Sequence, residues 1–376
     1  MKEKRFTPRA LILTAAVTLV LTLAAVVLTA WLRLGPGGLA VLQSMELINS
    51  RFPGDHDPAQ TAGDAIWGMV DGLEDRWSFY MTQEEYEDWN RQKENVYVGV
   101  GLTYQANEDR TAMVIVSLVP GGPAEMAGLL VGESITAIDG QTLNDENMDA
   151  LVATIGERAG KDITLTVLAD DGSVRQVSLR SAKVESSSAS GELLGGGIGY
   201  VRLDNFYQGS AASAQEVVED LVGQGAKALL FDVRYNPGGY VSELTQLLDY
   251  LLPEGPVFAE HTKDGPVHTI HSDAACVDLP MAVLVNGDSY SAAELFAAQL
   301  RESVNASIIG QQTCGKGFYQ QTFPLADGSA LNLSTGLYTT GGGISLIGTG
   351  LTPDVVEEDP VVQMARAVEC LTEKLG

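Results

Sequence analysis

Three cysteines in 376 residues are too few, and too widely spaced, for a disulfide framework. The count is odd and no C-x-x-C occurs, so Cys276, Cys314 and Cys370 allow one bridge at most, and three mostly buried thiols are expected. Histidine is also scarce: His56, His261, His268 and His271 are all there is. His268 and His271 could face one metal, but no H-E-x-x-H pattern accompanies them, and two side chains on a solvated β-rich segment are expected instead. Basic residues are few, 23 Lys and Arg against 49 Asp and Glu, for a net charge of −26. So acidic a chain is a poor partner for nucleic acid, whose phosphates need Lys/Arg stripes. Charged residues make up 19% and the 41 glycines follow no Gly-X-Y period, which excludes collagen-like and wholly disordered classes. At ~100–200 residues per domain, the length implies two or three domains.

Charge is absent altogether from residues 10–32. At ~1.5 Å per residue this run is long enough to cross a ~30 Å hydrocarbon core as a helix. Lys2, Lys4, Arg5 and Arg9 precede it, which favours a cytoplasmic N-terminus and an extracytoplasmic remainder. A cleaved signal peptide is the rival reading, but the run is long for one and no clean A-x-A site follows. The expectation is a single-pass anchor in the cell membrane, comprising residues 1–33.

Residues 34–95 read as a helical region. Leu39, Leu42, Met45, Leu47 and Ile48 form one apolar face, and Ala65, Ile66, Met69, Val70 and Leu73 another, after a break at 53–58. Thr82 and Glu85 make a capping box for a further short helix. A packing arm that supports a homodimer is expected here.

Between residues 96 and 182 the pattern changes to short strands. Val98, Val100 and Leu102 alternate with glycines, Met148, Leu151, Val152 and Ile155 form a helical stripe, and 163–168 and 174–179 make a hairpin across Asp170-Asp171-Gly172. The stretches YVGVGL (97–102) and AEMAGLLVGESITAIDG (124–140) resemble a PDZ domain. A Gly-flanked turn can present the N–H groups of Val100, Gly101 and Leu102 to a C-terminal carboxylate. The peptide then adds as a strand, and its last side chain meets Met148 and Val152.

From residue 183 to the end, strands alternate with helices, which implies an α/β core. Two motifs there invite chemistry. Residues 310–316 match most of a phosphate-binding P-loop, but Gly317 stands where a hydroxyl should bind Mg²⁺, and the residues that follow read as a strand. Residues 287–291 are a near miss for the G-x-S-x-G nucleophile elbow. Taken alone, Ser291-x-x-Glu294 is better read as a helix cap.

The wider context changes that reading. LEDRWSFYMTQEEY (73–86), FDVRYNPGGY (231–240), VNGDSYSAAE (285–294), GQQTCGKGFYQ (310–320), DGSALNLSTGLY (327–338) and GTGLTPDVV (348–356) resemble, in order, the C-terminal processing peptidases. These are also called tail-specific or carboxyl-terminal proteases. The resemblance implies a serine endopeptidase core of the ClpP/crotonase-like type with a Ser–Lys dyad, no metal or organic cofactor, and protein or peptide substrates with free C-terminal tails. Ser291 would be the nucleophile, at the positive end of a helix dipole. Lys316 would be the base, its neutral form favoured by burial among residues without acids. Gln320, four residues on along a strand, would share the face of Lys316 and orient its amine. The N–H groups of Gly238, Gly239 and Ala292 would receive the oxyanion. A Ser residue common just before the motif Glu is Ala293 here, and Cys314 replaces a common aromatic. The expected architecture is thus α/β and α+β, multidomain. Two rivals stay open: a non-catalytic PDZ peptide-binding scaffold, and a His-dependent serine hydrolase.

Overall fold

A computed structural model of the chain describes residues 8–376 apart from 157, 158, 170 and 264. Lys2, Lys4, Arg5 and the Asp170 corner of the expected hairpin therefore lie outside the described residues. The chain forms two compact units, Met1–Asp75 and Arg76–Gly376.

The first unit is helical. The helix Pro8–Arg51 is interrupted at Gly35, whose φ is 60°, just ahead of Pro36. That break separates the uncharged run from the apolar face beginning at Leu39, so the two expected helices follow each other directly. Its stretch from residue 12 onward is long and apolar enough to cross a membrane. After a turn, Asp57 caps the helix Pro58–Asp71, its carboxylate accepting from Ala59 N at 2.8 Å, with proline in the first helical position.

The helical region expected over 34–95 is not one piece. Residues 76–95 belong to the second unit. The strand Phe79–Met81 pairs with Ala330–Thr339, far away in sequence. The helix Gln83–Lys93 starts on the Thr82/Glu85 capping box, with Thr82 N donating to Glu85 Oε2 at 2.8 Å. Its end is tied to the core where Gln208 N donates to Lys93 O at 3.1 Å.

The segment that resembles a PDZ domain builds an antiparallel sheet ordered Leu102–Ala106, Met113–Leu118, Ser134–Ile138, Asp162–Leu168, Val174–Arg180. Alternate residues of each strand point inward, and Met113, Ile115, Ile135, Ile163, Leu165 and Val167 form its core with Leu151 and Ile155 of the helix Met148–Gly156.

The remaining core is a six-stranded sheet ordered Ala189–Leu194, Ile198–Leu203, Ala228–Asp232, Met281–Val285, Ser307–Gly310, Val355–Val356, parallel except for the first pair. Its central strands are buried on both faces, as parallel strands are when helices cover them. Leu229, Phe231, Met281 and Val283 face the helices Ser210–Gly223, Val241–Leu251 and Ala292–Val304. Ala228, Leu230, Ala282 and Leu284 face Ala367 and Leu371 of the helix Pro360–Leu375. A second sheet, built on Ala330–Thr339, joins Phe79–Met81, Gly255–Thr262, His268–Ser272 and Phe318–Pro324.

Candidate active site

Three loops leave the carboxyl ends of adjacent parallel strands: 233–240, 286–291 and 311–317. In open parallel sheets that edge is where ligands bind. Here the loops border a cavity of about 440 Å³, lined among others by Trp77, Lys93, Gly239, Ser291, Ala292, Lys316, Gln320 and Tyr338.

Ser291 sits immediately before the helix Ala292–Val304 with φ 60° and ψ −122°, an unfavourable conformation for a residue with a Cβ. Strain of this kind costs about 1–3 kcal/mol and persists only where the surroundings enforce it. Two groups enforce it here. Tyr290 N donates to Asn236 O at 3.2 Å, and Ser291 N donates to Glu294 Oε2 at 2.9 Å.

Glu294 does far more than cap a helix. It is fully buried, and the same Oε2 also accepts Lys316 N at 2.9 Å. Its other oxygen accepts Gly315 N at 2.7 Å and the Thr313 hydroxyl. One carboxylate oxygen thus receives the main-chain N–H of both Ser291 and Lys316. Burial pushes the Glu294 carboxyl up from the usual carboxylate range, while the four donated hydrogen bonds hold that rise back. Thr313 extends the bracing, because its hydroxyl accepts Leu351 N at 2.7 Å.

Tyr338 closes the site from the second sheet. Its hydroxyl donates to Lys316 O. Burial raises the pKa of this hydroxyl, and the neighbouring Ser291 side chain opposes the rise. The Lys316 side chain places Nζ 4.6 Å from the Trp77 ring centroid, and the Trp77 ring stands 6.2 Å from that of Tyr290.

The expected oxyanion donors divide. Gly238 N–H is already donated to Asn236 Oδ1 at 2.8 Å, so it is not available to a substrate. The sequence alone does not reveal that the Asn236 side chain takes this N–H. Gly238 instead serves by its smallness: a Cβ there would lie 2.8 Å from Ser291 Cβ and 2.9 Å from Ala292 N. Gly239 N–H and Ala292 N–H are donated to no group among the described residues, and both residues line the cavity.

Gln320 lines the cavity with Lys316, but not for the expected reason. The strand begins only at Phe318, and its register slips between Tyr319 and Gln320, so strand alternation does not connect the two residues. Gln320 Nε2 donates to Phe318 O at 3.0 Å and to Ser334 Oγ at 3.3 Å.

The other candidates fall away on geometry. No helix follows residues 310–316, so the P-loop reading lacks its anion site. No histidine lines the Ser291 cavity, and His261 Nε2 lies 3.3 Å from Thr339 Oγ1. His268 and His271 lie on one strand, His268–Ser272, at an odd offset that turns them to opposite faces. Among the described residues no group of three or more His, Cys, Asp or Glu side chains is placed to hold a metal. The cysteines are not the buried thiols expected: Cys276 is exposed, and Cys314 and Cys370 are half-buried.

A second depression, of about 290 Å³, lies between the segment 97–104 and the helix Met148–Gly156. Val100, Leu102 and Val152 line it. Met148 does not: it is withdrawn into the hydrophobic core. Gly101 turns the loop with φ 75°, and its carbonyl accepts Val119 N at 2.9 Å.

These features can be set against known proteins. Residues 197–357 match the model of peptidase family S41, and residues 114–168 that of the PDZ domain. A carboxy-terminal-processing protease of Bartonella bacilliformis is 31% identical over 332 residues, covering 84% of this chain and 74% of that protein. The chain belongs to peptidase family S41. A probable CtpA-like serine protease of Staphylococcus aureus strain COL is 28% identical over 327 residues, 86% of this chain. The chain spans 65% of that relative's length. The solved photosystem II D1 C-terminal processing protease is 26% identical, with a TM-score of 0.52 over 90% of this chain and 92% of that one. A putative S41 protease from Bacteroides fragilis shares the fold at a TM-score of 0.54 and 18% identity, over 86% of this chain and 91% of its own.

Proposed function

We propose that this S41 chain is a serine endopeptidase that captures C-terminal tails of proteins in its PDZ groove and cuts them with a Ser291–Lys316 dyad. The observation that carries the reading is the shared carboxylate: Glu294 Oε2 takes the N–H of Ser291 and of Lys316, each at 2.9 Å. In the reaction Ser291 Oγ attacks the scissile carbonyl while Lys316 Nζ takes its proton. Gly239 N–H and Ala292 N–H receive the charge that forms on the carbonyl oxygen. Lys316 then passes the proton to the leaving amine, and water resolves the acyl-enzyme by the same route. Gln320 lies beside this path and steadies the amine without titrating. The long apolar helix would hold the chain in the cell membrane with the catalytic unit on the extracytoplasmic side, and the first unit would support a homodimer.

A serine-reactive fluorophosphonate tests the nucleophile directly. Mass spectrometry should find the adduct on Ser291 alone, and Lys316→Ala should label far more slowly. An adduct on another serine, or none, would remove the assignment.

Gly239→Ala should lower kcat about a hundredfold or more, the usual cost of losing one oxyanion donor. A Cβ at Gly239 would come within 2.1 Å of Phe206 O, so the loop must move. Near-normal turnover in steady-state peptide assays would assign the donor elsewhere.

Gly101→Val should weaken peptides with a free C-terminus by at least about tenfold, because valine resists the positive φ the loop adopts. Calorimetric titration with free-acid and amidated peptides reads this out. Equal affinity in the variant would detach the carboxylate from that loop.

A further inference from the structure

The chain is strongly acidic, yet among the described residues no Asp or Glu lines the cavity at Ser291. Three cations do: Arg76, Lys93 and Lys316. Arg76 lies against Cys314 Sγ at 3.4 Å and over the Trp77 ring. Lys316 belongs to the proposed chemistry. Lys93 has no assigned task.

Lys93 is the last residue of the helix Gln83–Lys93. Its Nζ sits 4.0 Å from the Trp89 ring centroid, 5.4 Å from that of Tyr240 and 6.0 Å from that of Tyr207. Those ring faces favour a cation but do not neutralise it. Among the described residues no carboxylate forms an ion pair with it. Burial, and then the charge of Lys316, lower its pKa to about 8, so it still carries its charge at neutral pH. A half-buried ammonium without a counter-charge is held at a cost, and an incoming anion removes that cost.

We propose that Lys93 is a specificity-determining residue that receives a carboxylate of the substrate, either an Asp or Glu side chain near the scissile bond or the free end of the chain. This inference rests on the peptidase reading of the same cavity. A peptide is the source of carboxylate that such a cavity meets, and the aromatic walls give its hydrocarbon portion a surface. Lys93 acts on which peptide is chosen, leaving proton transfer to Lys316.

The test uses the full chain in detergent with two sets of peptides. The first set is amidated at the C-terminus and carries a single Glu, or Gln in its place, at each position flanking the cut in turn. The second set has no acidic side chain and ends in a free acid or an amide. The wild type should prefer one acid over its amide in kcat/KM by about tenfold or more, which is ~1.4 kcal/mol. Lys93→Met should bring that ratio to within about twofold of unity, Lys93→Arg should keep it, and Lys93→Glu should invert it. The set that responds identifies the source of the carboxylate. Any preference contributed by the PDZ groove persists in all three variants, so only the part that depends on Lys93 counts. Thermal unfolding confirms that each variant is folded, and if Lys93→Met is not, the contrast of Lys93→Arg with Lys93→Gln replaces it. A wild type that does not distinguish acid from amide, or a preference unchanged in Lys93→Met, overturns the proposal. If the wild type cuts nothing, the peptidase reading fails by itself. The same peptide pairs are then titrated by calorimetry into Ser291→Ala, with and without Lys93→Met, and the acid preference decides the role of Lys93 independently of catalysis.

Discussion

Lys316→Ala should fold like the parent and cleave peptides at least about a thousandfold more slowly, within the range associated with loss of a general base. Ser291→Ala should cost still more, on the order of 10⁶ in kcat, as loss of a nucleophile does where the residues act as a unit. The double variant should therefore be no worse than Ser291→Ala, and strict additivity would mean that the two side chains do not cooperate. Rates should also climb as the pH is raised, because only a neutral amine can take the serine proton. Lys93, its pKa lowered to about 8, also titrates as the pH is raised, so the profile has to be measured in Lys93→Met as well. A rise that survives in Lys93→Met belongs to the dyad; a profile that is flat in both proteins would argue against a lysine base.

Glu294→Ala should be the most destabilising substitution at the site. It would leave the N–H groups of Ser291, Gly315 and Lys316 and the Thr313 hydroxyl without their acceptor in a buried setting. Each unsatisfied buried donor costs about 1–3 kcal/mol, and partial relaxation would bring the total to roughly 3–5 kcal/mol. The unfolding midpoint should fall on the order of 10 °C. Glu294→Gln separates geometry from stability. It preserves size, but its NH₂ group would face donors where the carboxylate had an acceptor. Turnover should drop at least about tenfold with a smaller change in midpoint. Scanning calorimetry and steady-state kinetics on the two variants settle the matter: a fully active Glu294→Gln would reduce Glu294 to a helix cap.

Much of this was legible in the residues. Alternation marks the strands around Ile163 and Val177, the capping box at Thr82 marks a helix, and motif order singles out Ser291 and Lys316, which line one cavity. The rest depends on partners remote in sequence. Glu294 looks like a local cap because three of its four donors are on another loop. Tyr338 ended a recognised motif, but nothing local says that its hydroxyl reaches Lys316 O. Asn236 takes the N–H of Gly238, a detail that only the folded turn supplies. Strand periodicity puts Gln320 on the face of Lys316 but fails, because the strand starts after Lys316 and carries a register slip. Helical periodicity over 34–95 identifies apolar faces but does not reveal that residues 76–95 belong to the second unit.

The bracing of the site by Thr313, Leu351 and Tyr338 has a biosynthetic consequence. The segment bearing Ser291 leaves the ribosome well before those that complete the arrangement. A nascent chain that ends before Leu351 lacks the brace on Thr313, so the loop around Glu294 gains its full support only late in synthesis.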